Sequence, residues 1–81
     1  MNKRYPLSSS KILIGKTIKL HRKRKELTLQ ELADKLNSER QYLWKLENGK
    51  VNMSLDYLDK VITQLECNHS DFFSSMINEI T

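Results

Sequence analysis

The sequence predicts an all-α fold, a compact bundle of five short helices. Three observations predict it. Gly (2) and Pro (1) are scarce among the 81 residues, too few for the many turns of an all-β chain. Apolar residues recur three and four apart along five windows, the period of a helix with one buried face. A Ser or Thr stands before each window, where its side chain can cap a helix start. The length suits a single domain, and a chain of this size buries only about 60% of its unfolded surface, so the core must be thin. Apolar residues make up 38% and charged residues 30%, which fits a small core under a solvated surface.

Residues 1–9 (MNKRYPLSS) read as a flexible arm, because Pro6 blocks an early helix; residues 10–81 form the folded domain. The first helix is expected over about 11–25, capped from Ser8, Ser9 or Ser10. Ile14 and Ile18 face the core and His21 continues their stripe. Gly15 sits inside this helix, where glycine costs stability relative to alanine; close approach of a neighbouring helix is one reason for it. The second helix opens on Thr28-Leu29-Gln30-Glu31, which has the capping-box form, with Leu27 and Leu32 as its hydrophobic staple. Leu32, Ala33 and Leu36 form its inner face, and Asn37, which tolerates the left-handed conformation, ends it after about 29–36.

Ser38 and Gln41 give the third helix another possible capping box; Leu43 and Leu46 mark its core side, and Asn48-Gly49 stops it. Two short helices joined by a turn of a few residues form a helix-turn-helix arrangement. Ser54 caps the fourth helix, whose stripe is Leu55, Leu58, Val61, Ile62 and Leu65. The fifth begins after Ser70 and carries Phe72, Phe73, Met76, Ile77 and Ile80.

Charge is divided unevenly. Residues 1–50 hold 13 Lys/Arg against 5 Asp/Glu, and residues 51–81 hold only Lys60 against 5 Asp/Glu. Lys19, Arg22, Lys23, Arg24 and Lys25 are the densest cluster. The basic half suits a polyanion, although cations also gather at helix C-termini for the sake of the helix dipole. On a helical wheel the third helix turns Gln41, Trp44, Lys45 and Asn48 away from Leu43 and Leu46, with Arg40 on the flank. Arg and Lys donate to guanine O6 and N7, and Gln and Asn pair with adenine N6 and N7, so this face can read base edges in a major groove.

The stretch LTLQELADKLNSERQYLWKLENGK, together with Ile14-Gly15, Ile18-Lys19 and Arg22 upstream, resembles the phage-repressor (Cro/CI-type, XRE-like) helix-turn-helix family. The resemblance runs from Ile14 to about Phe73, most of the chain. It implies a five-helix lambda-repressor-like DNA-binding domain that acts on double-stranded DNA as a transcriptional regulator, with the third helix in the major groove. In size and in its last two helices the chain also resembles the controller proteins of restriction–modification systems. The family's base-reading positions fall on Arg40, Gln41, Trp44 and Lys45, and its phosphate contacts on Arg22, Asn48 and Lys50. A family glutamine that contacts phosphate is Leu29 here, with Gln30 as the substitute. Glu47 in the family supports the fold through a basic partner, for which Arg22 is the candidate, so Arg22 carries two readings. Asn37 replaces the turn glycine, Ser38 the apolar residue after it, which thins the turn's packing, and Met53 the loop proline.

Helix-turn-helix proteins of this type bind as dimers. The apolar surplus at Phe72, Phe73, Met76, Ile77 and Ile80 is the expected two-fold interface of a homodimer, turned away from DNA with the acidic half. A second reading is an antitoxin-like interaction protein that binds a protein partner and autoregulates its operon. An enzyme is not expected. His21 and His69 lie on separate elements, and Cys67 lacks the His and carboxylate pattern of a nucleophile. No phosphate-cradling glycine loop and no metal-ligand spacing occurs, so no cofactor, metal or small-molecule ligand is expected. One cysteine and no run of apolar residues long enough for a signal core or a membrane span point to a reducing cytoplasm.

Overall fold

The computed structural model describes residues 9–80, the side chains of residues 79 and 80 excepted. Five helices follow in order: α1 (Ser10–Arg24), α2 (Leu29–Lys35), α3 (Arg40–Glu47), α4 (Leu55–Gln64) and α5 (His69–Ile80). No strand occurs among the described residues. Residues 1–8 of the expected arm lie outside the described residues, and Ser9 belongs to the fold as the cap of α1, its hydroxyl accepting from Ile12 N. The capping box of α2 is complete: Glu31 N donates to Thr28 Oγ1 at 3.0 Å, and Thr28 N donates to Glu31 Oε1 at 2.8 Å. Ser54 caps α4 by accepting from Tyr57 N.

Two expected caps are corrected. Glu39, not Ser38, is the N-cap of α3 and makes no side-chain capping bond. Ser38 instead turns its hydroxyl to Tyr57 Oη at 2.6 Å. At α5, Asn68 rather than Ser70 caps, with Asn68 Oδ1 accepting from Asp71 N at 2.7 Å.

Four helices end the same way. Glu26, Asn37, Gly49 and Glu66 take positive φ of 57°, 56°, 68° and 55°. After each, the next amide bonds back five residues: Leu27 N to Arg22 O, Ser38 N to Ala33 O, Lys50 N to Lys45 O and Cys67 N to Ile62 O. This is the Schellman closure, which satisfies the last carbonyls of a helix. Asn37 and Gly49 suit the left-handed conformation, whereas Glu26 and Glu66 take it against their steric preference.

The core is a single cluster built from Ile18 of α1, Leu32 and Ala33 of α2 with its C-cap Leu36, Leu43 and Leu46 of α3, Leu58, Val61 and Ile62 of α4 with its C-cap Leu65, and Phe72 of α5. Leu55, expected on the stripe of α4, is 77% exposed, because it stands at the first helical position and projects beyond the core. Where α1 crosses the end of α3 the backbones nearly touch: a Cβ on Gly15 would lie 2.7 Å from the Glu47 carbonyl oxygen. That crossing is the physical reason for a glycine inside α1.

One buried ion pair locks the same crossing. Arg22 Nε donates to Glu47 Oε2 at 2.7 Å and Arg22 Nη2 to Oε1 at 3.1 Å, while Nη1 donates to Leu27 O at 2.9 Å. The side chains are 10% and 2% exposed. The fork matches the carboxylate bidentately, the strongest geometry available to such a pair.

On the far side of α1, His21 stacks on Phe72 with ring centroids 5.6 Å apart, and its Nε2 lies 3.1 Å from Ser75 Oγ. Burial holds the imidazole below its usual value of 6.5, helped by Arg24 and Lys25 and opposed by Asp71.

Two consequences are measurable. Glu47→Ala should lower stability by about 3–5 kcal/mol, because the Arg22 guanidinium is left buried and unpaired, and Arg22→Met with Glu47→Leu should recover most of it. A loss below about 1 kcal/mol in denaturant melts would contradict the clamp. For His21 the unfolded chain binds the extra proton, so its contribution is complete above the usual value of 6.5 and is lost as pH falls through and below it. From about pH 7.5 to about pH 5.5, wild-type protein should lose more stability than His21→Gln; parallel losses would contradict this.

Candidate nucleic-acid interface

The helix-turn-helix is assembled from α2, the turn around Asn37, and α3. Because Leu43, Leu46 and Glu47 point inward, the other face of α3 is left to solvent. Arg40, Gln41, Trp44 and Lys45 are all exposed on it, and Trp44 is 46% accessible. Leu43 and Leu46 supply the core packing of α3 and leave the Trp44 indole in contact with solvent. Tyr42, which is not among the expected base-reading residues, is 37% exposed and meets Tyr57 edge-on at 5.8 Å. Its adjacency to Leu43 places it on the flank, and the signal that could have found it is the aromatic pair Tyr42 and Tyr57.

The expected phosphate contacts divide. Lys50 is exposed just beyond the closing turn of α3. Asn48 is exposed but partly occupied, its Nδ2 donating to Trp44 O at 2.9 Å and so finishing α3. Gln30 is exposed on the first turn of α2, its amide nitrogen donating to Asp34 Oδ1 at 2.8 Å. Leu29 packs half-buried against the core, which explains an apolar residue where the resembling family has a glutamine. Arg22 is a correction: only 8% of it is accessible and all three guanidinium nitrogens donate inside the fold. Of its two readings the structural one holds, and it leaves the phosphate set. Along α1, Lys16, Lys19 and Lys23 are exposed and share one face by their spacing.

The apolar residues of α5 divide as well. Phe72 is fully buried between His21 and the core, so it cannot line an interface between copies. Phe73 and Met76 are half-buried, and Ile77 is 58% exposed. The side chain of Ile80 lies outside the described residues. Phe73 meets Phe72 edge-on at 5.3 Å. Of the adjacent phenylalanines, Phe72 lies inside the core and Phe73 packs at its edge, partly open to solvent.

Other chemistry is sparse. Burial pushes the Cys67 thiol up, with Asp71 adding to it, which is the reverse of an activated nucleophile. His69 pairs with Asp59 at 2.8 Å on the open surface. Among the described residues no group of three or more His, Cys, Asp or Glu is arranged to hold a metal ion, and no helix is long and apolar enough to cross a membrane.

The sequence pattern of the Helix-turn-helix family matches residues 18–72, from the core of α1 to Phe72. The chain belongs to the helix-turn-helix family. It is 34% identical over 74 residues to the control protein C.MunI of Mycoplasma sp, covering 90% of this chain and 100% of that one. It is 36% identical over 64 residues to the HTH-type transcriptional regulator SlrR of Bacillus subtilis (strain 168), covering 78% of this chain but 42% of SlrR. Among solved structures, the wild-type restriction–modification controller protein C.Esp1396I superposes with a TM-score of 0.82 at 30% identity, over 90% of this chain and 96% of that one.

Proposed function

We propose that this helix-turn-helix protein is a sequence-specific double-stranded DNA-binding transcriptional regulator that reads the major groove with α3 as a homodimer in the cytoplasm. The observation that carries the reading is the face of α3: Arg40, Gln41, Trp44 and Lys45 stand exposed together, while the inward residues of the same helix hold the fold. An α-helix with its side chains is about 10–12 Å across, which fits the roughly 12 Å width of a major groove. C.Esp1396I, the similar controller protein, has been solved as a tetramer with its natural 35 base-pair operator and bound to a 25 base-pair operator site. The antitoxin-like reading is not favoured, since these two relatives are a control protein and a transcriptional regulator.

In this reading Arg40, Gln41, Trp44 and Lys45 meet base edges, while Gln30, Asn48 and Lys50 hold phosphates on either side. The two-fold contact is made by Phe73, Met76 and Ile77 on the outer face of α5, with Phe72 left to the core. The acidic second half of the chain then turns from the DNA and the basic first half turns toward it.

Two experiments test the roles. Gln41→Ala should relax base preference at one position of each half-site by about 1–3 kcal/mol, whereas Lys50→Ala should weaken binding to specific and random duplexes alike and flatten the salt dependence. If both variants act identically on the two duplexes, the division of roles is wrong. Ile77→Asp should halve the mass in sedimentation while the protein stays helical, and an unchanged mass would remove α5 as the interface.

A further inference from the structure

A reading helix must be held at both ends to meet base edges at a fixed angle, and the two ends of α3 are held differently. At its C-terminal end, Glu47 is clamped by Arg22 and the backbone lies against Gly15. At its N-terminal end, where Arg40 and Gln41 sit, the cap residue Glu39 makes no side-chain bond. What reaches that end from outside the α2–α3 pair is Tyr57 of α4. Its phenolic oxygen lies 2.6 Å from Ser38 Oγ in the turn before α3, and its ring meets the Tyr42 ring edge-on. Either hydroxyl can donate in this bond, which ties α4 to the turn, and Ser38 Oγ also lies 3.4 Å from Leu36 O at the end of α2. The Lys60 ammonium, 5.9 Å from the centre of the Tyr57 ring, adds a cation–π contact that braces the phenol from its own helix.

We propose that Tyr57 is a positioning residue for base discrimination: through Ser38 and Tyr42 it sets the angle at which α3 presents Arg40 and Gln41. The proposal rests on the reading of α3 as the DNA-reading helix. With the C-terminal end pinned, any tilt of so short a helix moves its N-terminal end most, and sites of this kind tolerate only about 0.5 Å of error. Ser38 takes part because it is a hydroxyl. The turn that looked thinly packed in the sequence is tied by a hydrogen bond instead of by apolar contact.

The test uses the full chain, the duplex that wild-type protein selects from a random library, and a random-sequence duplex, all at one salt concentration. Tyr57→Phe removes one oxygen and keeps the ring against Tyr42. It should stay folded, its melting point lowered by about 4–8 °C at most, and bind random duplex as before, while its preference for the selected duplex drops about five-fold, the most that one hydrogen bond can lend to discrimination. Ser38→Ala should give the same drop, the double variant no further drop, and Ser38→Thr, which keeps the hydroxyl, none. Full preference in Tyr57→Phe, or equal weakening on both duplexes, overturns the proposal, since the second is what a merely structural bond would give. If Tyr57→Phe fails to fold, the pair Ser38→Ala and Ser38→Thr decides by the same criterion. A wild-type protein with no preference at all sinks the DNA-reading function and this proposal with it; preference kept by both wild type and Tyr57→Phe sinks the positioning role alone.

Discussion

The bidentate bond between Arg22 and Glu47 is the constraint on which the rest of the molecule depends. It ties α1 to the end of α3, and its third donor, to Leu27 O, holds the corner that leads into α2. A buried pair of this kind contributes little beyond well-packed apolar groups, but breaking one half is severe. Its value lies in geometry. A guanidinium fork accepts a carboxylate only within a narrow range of angles, so the crossing of α1 over α3 is specified, and Gly15 allows the backbones to close on it. The face of α3 that points outward then has no part in holding the fold.

That separation organises the whole bundle. Inward residues of α3 carry packing and the clamp; outward residues are free to meet a ligand. The same division recurs on α5, where Phe72 seals the core against His21 and Ile77 faces outward. Charge is divided along the chain as well: residues 1–50 hold 13 of the 14 Lys/Arg, while the 10 Asp/Glu fall equally on either side of residue 50. A thin core suffices because no described buried polar side-chain atom lacks a partner: Thr17 returns its hydroxyl to Leu13 O at 2.8 Å, and the Arg22–Glu47 pair satisfies itself.

Much of this was legible in the sequence because it depends on local rules. The capping box at Thr28, the left-handed turn at Asn37 and the stop at Gly49 are short-range signals, and all three hold. Gly15 was legible as an oddity, and its partner became visible only in the packed structure. Glu26 and Glu66 were not legible, since the left-handed conformation there is imposed by closure around the apolar Leu27 and Cys67 that follow, against the preference of the glutamates themselves. Ser38 misled because two chemistries compete for a serine before a helix, and a tyrosine nineteen residues away won it. Arg22, Phe72 and Leu55 share one lesson. Residue type and period say that a side chain belongs to an element's face, but only the packing of distant elements says whether that face is covered at that point. The exposure of the candidate site residues on α3 was legible because the apolar pair Leu43 and Leu46 fixes the inward direction of a short helix without outside help.

The most direct measurement is selection of bound sequences from a random duplex library by the full chain at physiological salt. The expected result is a two-fold symmetric motif with half-sites about one helical turn apart, the spacing that a dimer presenting two α3 helices imposes. Tight binding without any recovered motif would contradict it, leaving a basic surface on a helix-turn-helix scaffold and no reading helix.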